Sequence, residues 1–397
     1  MPAATPVPHV PAVLLLGSAT DLLTGPGCSV CRYASQASEG YLAWFSFEGH
    51  AQADAITRLC ASLGMCSRHT RRLMRQPGAA IRLTAVYRYV MAAAQERLAA
   101  PSRPLARCPA CEHDRDAADR AVQILVDDAV QARRGEMCGL CPPHLRLVSV
   151  QVNRRQAARL AEAVTEAAGQ ADYDAPARAA LRRAARAGAP LGEYACIACR
   201  AASRSTEDGL PRLRQAGRSQ PGWESLLCAD HVGDLVVSVG RRQAEVILAR
   251  PVEELAAGLT GHPAPPVRRP ASRRRSRLRR IGGSAGCPAC LAAEDAELRA
   301  VDDLRYRLRT AGRAHDGPVP LCVRHLLGLK ARDPRAAQVL IPAAAAHAET
   351  LTAELDEAFG KNTWLRRHEG RGPEMSAWRC AAAFLDGHVF CGGPPGG

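Results

Sequence analysis

Twelve of the sixteen cysteines in this 397-residue chain fall into a frame that recurs four times. The first copy is Cys28-Ser-Val-Cys31 followed by Cys66-Ser-Arg-His69. The second is Cys108-Pro-Ala-Cys111 with Cys141-Pro-Pro-His144, and the third Cys196-Ile-Ala-Cys199 with Cys228-Ala-Asp-His231. The fourth is Cys287-Pro-Ala-Cys290 with Cys322-Val-Arg-His325. Each copy reads C-x2-C, a gap of 28 to 34 residues, then C-x2-H, and successive copies start 80, 88 and 91 residues apart. The residue before the third cysteine is always apolar: Met65, Leu140, Leu227 or Leu321. A repeat of this length sets the architecture before any finer reading.

Three thiolates and one imidazole make a structural zinc set. In C-x2-H on a helix, residues i and i+3 share one face, and a helix N-terminus favours the thiolate form. Closing each gap with an ion would clamp two helix starts together within one copy. Four protein ligands leave no open position, which points to structure over catalysis. The expected cofactor is zinc, about four per chain, on the sixteen frame residues. The same donors also suit an iron–sulfur cluster, making an electron carrier one alternative. A thiol sensor that releases zinc on oxidation is another. The C-P-A-C pairs Cys108–Cys111 and Cys287–Cys290 resemble dithiol redox pairs, but no βαβ pattern surrounds them. Outside the frame, Cys60 reads as a small buried hydrophobe. Cys138 lies three residues before Cys141 and could replace it, while Cys380, His388 and Cys391 make a partial fifth set.

The gaps carry helical periodicity. Leu291, Leu298, Val301, Leu304 and Leu308 recur at steps near three and four, as do Leu145, Val148 and Val152, and Val232, Leu235, Val236 and Val239. Hydrophobic residues make up 47% of the chain but aromatics only 4%, with alanine dominant. Such a composition favours helix over sandwich or barrel and makes for a thin apolar core. The expected fold is all-α: four metal-clamped helical modules, each a CxxC knuckle, a helix, a loop and a CxxH opening a second helix, then a C-terminal helix. The boundaries read as a flexible tail over 1–27, module 1 over 28–104, module 2 over 105–173 and module 3 over 174–261. A basic linker spans 262–286, module 4 spans 287–360, and the C-terminal helix and tail fill 361–397.

No segment approaches the roughly 20 apolar residues of a membrane span, and Val13-Leu14-Leu15-Leu16 has neither the basic start nor the cleavage site of a signal peptide. A cytoplasmic location is therefore expected, where disulfides are rare and cysteine-rich frames bind metal. The formal charge is +14, and only Lys330 and Lys361 are lysines among 53 basic residues. Eight arginines crowd the linker: Arg268, Arg269, Arg273, Arg274, Arg275, Arg277, Arg279 and Arg280. They suit non-specific contact with nucleic acid or another polyanion, or else a solvated linker. Few aromatics argue against base stacking, and the gaps are too long for a base-reading finger. No nucleotide-binding, metalloprotease or serine-hydrolase motif is present, so a non-enzymatic scaffold or binding protein with an unknown protein partner is expected.

Cys28-Ser-Val-Cys31, then Tyr41-Leu-Ala-Trp44 and Gly64-Met-Cys66-Ser-Arg-His69, resembles bacterial proteins of unknown function built from C-P-x-C and G-F-C-x-x-H modules. The stretch Glu374-Met-Ser-Ala-Trp378 resembles their terminal helix. The resemblance implies helices and bound metal, and no particular activity.

Overall fold

The computed structural model describes residues 28–74, 76, 78–100, 103–128, 144, 196–202, 205, 288–311 and 319–387. Those residues are helices joined by turns, with no strand among them, so the all-α expectation holds. By contacts the chain divides into two compact units. One comprises Met1–Gly40, His113–Ala180 and Gly217–Arg274, the other Tyr41–Glu112, Leu181–Ala216 and Arg275–Gly397. The basic linker lies outside the described residues, as do Cys138, Cys141, Cys228, His231, Cys287, His388 and Cys391.

The first half supplies helices α1 (Ser29–Phe47), α2 (Ala53–Ala61), α3 (Ser67–Leu73), α4 (Ala79–Ala99) and α5 (Pro109–Asp128). The second supplies α6 (Pro288–Ala311), α7 (Val323–Arg332), α8 (Pro334–Gln338), α9 (Ile341–Lys361) and α10 (Ala377–Leu385). The expected C-terminal helix is α10, entered through a 3-10 turn at Pro373–Ser376. Pro109, Pro288 and Pro334 each stand at the first helical position, where a missing N–H costs nothing.

In the second unit α4 packs along α9, with α2 and α10 also against α4. From α4 come the buried Leu83, Val86, Tyr87, Val90, Met91, Ala94 and Leu98, at the three- and four-residue steps of one helix face. The facing stripe on α9 is Ala344, Ala348, Leu351, Leu355 and Ala358. Its alanines keep side-chain bulk low, so α9 contributes little apolar area per residue, as the composition implied. Trp378 and Phe384 of α10 add the bulk that alanine lacks.

Both lysines of the chain serve as backbone caps. Lys330 on α7 donates to the carbonyls of Arg97 (3.4 Å), Leu98 and Ala100 (2.5 Å each), closing the C-terminal end of α4. Lys361 donates to Gly370 O and to the Glu374 carboxylate, both at 2.9 Å, tying the end of α9 to the turn before α10. A compact ammonium can reach several carbonyls at once, whereas a planar guanidinium presents a fixed fork.

Candidate metal centres

Every described frame motif opens a helix. Arg32, Glu112 and Arg200 donate backbone N–H bonds to the carbonyls of Cys28, Cys108 and Cys196, and Thr70 and Leu326 do so to Cys66 and Cys322, at 2.8–3.1 Å. The first cysteine of each motif is thus the residue just before the helix. Cys66 and Cys322 take the extended backbone usual there, with φ −64° and ψ 160°, and φ −68° and ψ 162°. The second donor sits in the first turn. The "knuckle" of each C-x2-C is therefore the helix start itself. The residue before its second cysteine turns into the core: Val30, Ala110, Ala198 and Ala289 are 0–2% exposed. That small apolar position is legible in all four copies and went unread in the sequence. Met65 and Leu321, the apolar residues before C-x2-H, are likewise buried.

Among the described residues, three donor groups assemble. Cys66 and His69 meet Cys108 and Cys111; Cys196 and Cys199 meet Cys322 and His325; Cys28 and Cys31 meet His144. Within each group the ligand atoms lie within 4.8 Å of one another. In all three, imidazole Nδ1 faces the sulfurs. His69 Nδ1 is 3.4, 3.6 and 3.4 Å from the Cys66, Cys108 and Cys111 sulfurs. His325 Nδ1 is 3.4, 3.5 and 3.2 Å from those of Cys196, Cys199 and Cys322. His144 Nδ1 is 3.3 Å from each of Cys28 and Cys31. Sulfur–sulfur distances are 3.6 Å for Cys66–Cys111 and 4.0 Å for Cys199–Cys322. A tetrahedral zinc with about 2.3 Å to sulfur and 2.0–2.1 Å to nitrogen would set sulfur–sulfur edges of about 3.8 Å and sulfur–nitrogen edges of about 3.6 Å. The two complete sets match that shell.

The grouping corrects the expectation that each copy clamps its own ion. C-x2-C of the second copy meets C-x2-H of the first, and C-x2-C of the first meets the histidine of the second. C-x2-C of the third meets C-x2-H of the fourth. Chain geometry is the reason. Helix α1 carries the chain about 28 Å away from Cys28 before turning, and nine-residue α2 is half that length. The chain instead returns after α4: Ala106 N–H bonds Ala61 O at 3.1 Å and lays Cys108 beside the turn leading to Cys66. In the other complete set Ile197 N–H bonds Pro320 O at 2.9 Å, bringing Cys196 to Cys322. Cys290, half-buried on α6, lies outside that set: the α6 residue that reaches His325 is Glu297, seven residues or about 10 Å further along.

Two helix N-termini converge on each complete set, and their positive ends favour anionic sulfur. Hydrogen bonds from Cys108 and Cys111, with His69 alongside, hold the Cys66 sulfur well below the ordinary thiol range. The bonds it shares with Cys108 and Cys66 push Cys111 up. At the other set, burial opposes ionisation of Cys322, but bonds from Cys196 and Cys199 and the His325 charge outweigh it, so it is lowered. Bonding to Cys196 and Cys322 pushes Cys199 up. A cation at either set would replace the protons these crowded sulfurs share.

Among the residues around the sites, Glu297, Leu63 and Arg324 had no role assigned from the sequence, whereas Gly64 stood in the Gly64-Met-Cys66-Ser-Arg-His69 motif. Glu297 Oε2 lies 3.5 Å from His325 Nε2, the nitrogen facing away from the sulfurs, and so orients the ring. Leu63 (φ 51°) and Gly64 (φ 89°) form the tight turn that aims Cys66. Arg324 donates to the Ser62 and Gly64 carbonyls of that turn at 3.0 and 3.4 Å. Cys60 and Cys380 are half-buried against the core and belong to none of the three groups. Burial raises the Cys60 thiol pKa, in keeping with a packing role. No helix among the described residues is long and apolar enough to cross a membrane. The chain matches no known protein family, no curated protein and no solved structure.

Proposed function

We propose that this protein is a non-enzymatic helical scaffold or binding protein held together by structural zinc. The observation that carries this reading is the spacing of two complete Cys3His sets at converging helix N-termini. A closed shell of four protein ligands supports a structural ion over a catalytic one. Sulfurs crowded within one tetrahedral shell favour a single ion over a cluster, which would spread them over several irons. Buried thiol sets of this kind would fill a core otherwise rich in alanine, and structural zinc contributes about 10–16 kcal/mol in small peptides. The third group adds Cys28, Cys31 and His144, and the frame repeats a fourth time, so about four ions per chain are expected.

Elemental analysis after reducing purification tests the proposal, with a visible spectrum taken on the same sample. Close to four zinc ions and a colourless protein support it. One metal or fewer per chain would sink it, and a brown protein with equimolar iron and sulfide would replace it with an electron carrier.

A further inference from the structure

Between the two complete Cys3His sets lie the first two residues after α10. Asp386 and Gly387 touch both sets at once. The Asp386 carboxylate accepts the backbone N–H of Ser67 at 3.1 Å, so it caps the helix that carries His69. Its oxygen also lies 3.7 Å from Arg324 Nε. Arg324 sits between Cys322 and His325 in sequence, and its other end holds the Ser62–Gly64 turn before Cys66. Gly387 is pressed on the other set: a Cβ there would lie 2.5 Å from Cys196 Cβ and 3.0 Å from Cys199 Sγ. Real Cβ atoms do not approach that closely, so any side chain at 387 displaces either Cys196 or the Asp386–Gly387 segment.

Resting on the zinc reading above, we infer that these two sets bind metal cooperatively, with Asp386, Gly387 and Arg324 as the positioning residues that couple them. An ion at Cys196, Cys199, Cys322 and His325 fixes the cysteine backbone against which Gly387 packs, and fixes the start of α7 that presents Arg324. Both then hold Asp386 on the N-terminus of α3 and the turn that aims Cys66. Loading at one set therefore orders the donors of the other. Such coupling is reciprocal: each ion must strengthen the other by the same factor.

The test uses the full chain in buffers of graded free zinc, followed by pulsed alkylation and peptide mass spectrometry. Protection of Cys66, Cys108 and Cys111 reports one set; protection of Cys196, Cys199 and Cys322 reports the other. Deleting the second set with Cys196→Ser and Cys199→Ser should raise the free zinc needed to protect the first. Deleting the first with Cys108→Ser and Cys111→Ser should raise the need of the second by the same factor, within the roughly 5–150-fold of typical coupling. Asp386→Asn and Gly387→Ala keep all eight donors and should each shift both midpoints. Their combined effect should be less than additive, because either one breaks the same link. Saturating zinc should restore helicity in both, so the shift reports coupling and not loss of fold. Two midpoints that stay fixed in every variant would refute the coupling while leaving the zinc reading intact. A chain with no zinc-dependent protection would overturn both.

Discussion

Counting metal in doubly substituted chains separates exchanged donor sets from contiguous ones. Cys66 Sγ lies 3.6 Å from Cys111 Sγ, and both are 3.4 Å from His69 Nδ1. One ion bound at about 2.3 Å to each sulfur serves both cysteines, so either substitution breaks the same shell. Cys66→Ser combined with Cys111→Ser should cost one zinc per chain. Cys31 belongs to the group with Cys28 and His144, so Cys31→Ser combined with Cys66→Ser should cost two. Ions clamped within each copy would give the opposite counts, two and then one. The assay is elemental analysis after gel filtration at a buffered free zinc that a two- or three-ligand remnant does not hold but that still saturates a complete set whose neighbour is empty. Circular dichroism on the same samples checks that helices persist. Counts of two and one would refute the exchanged grouping outright.

Three more outcomes follow from the packing. Lys330→Met strips a charged donor from the end of α4 and should cost roughly 1.5–3 kcal/mol in denaturant unfolding at saturating zinc; Lys330→Arg should not restore it, and wild-type stability in either variant would contradict the capping role. Glu374 is held at a pKa of about 2, first by Lys361 and then by the Gly372 N–H. Because that value lies below the ordinary carboxylate value, its stabilisation is complete above about pH 4.5 and fades as pH falls toward 2. Glu374→Gln should therefore flatten the fall of melting temperature across that window, and an unchanged slope would contradict the assignment. Ala348→Leu inserts bulk into the fully buried stripe of α9 and should destabilise by about 1–3 kcal/mol, read as a lower melting temperature; no change would mean that α9 has slack the packing does not suggest.

The chemistry of the sites was legible in the sequence because it depends on local spacing. Cysteine followed at i+3 by cysteine or histidine places two donors on the first turn of a helix, whatever surrounds it. The all-α class was legible for a similar reason, since alanine and three-to-four periodicity act within a segment. Which C-x2-C meets which C-x2-H was not legible. Each described motif is an equivalent helix N-terminus, so any pair could close a shell, and spacing along the chain favours none. Helix length and the path of the return segments decide it: Ala106 on Ala61 brings Cys108 to Cys66, and Ile197 on Pro320 brings Cys196 to Cys322. Asp386, Gly387, Arg324 and Glu297 were hidden for the same reason. An aspartate-glycine pair far along the chain carries no local mark of the helix it caps or the cysteine it touches. Local rules supplied the donors and the helices they open; only long-range packing gathered those donors into sets and placed one set beside another.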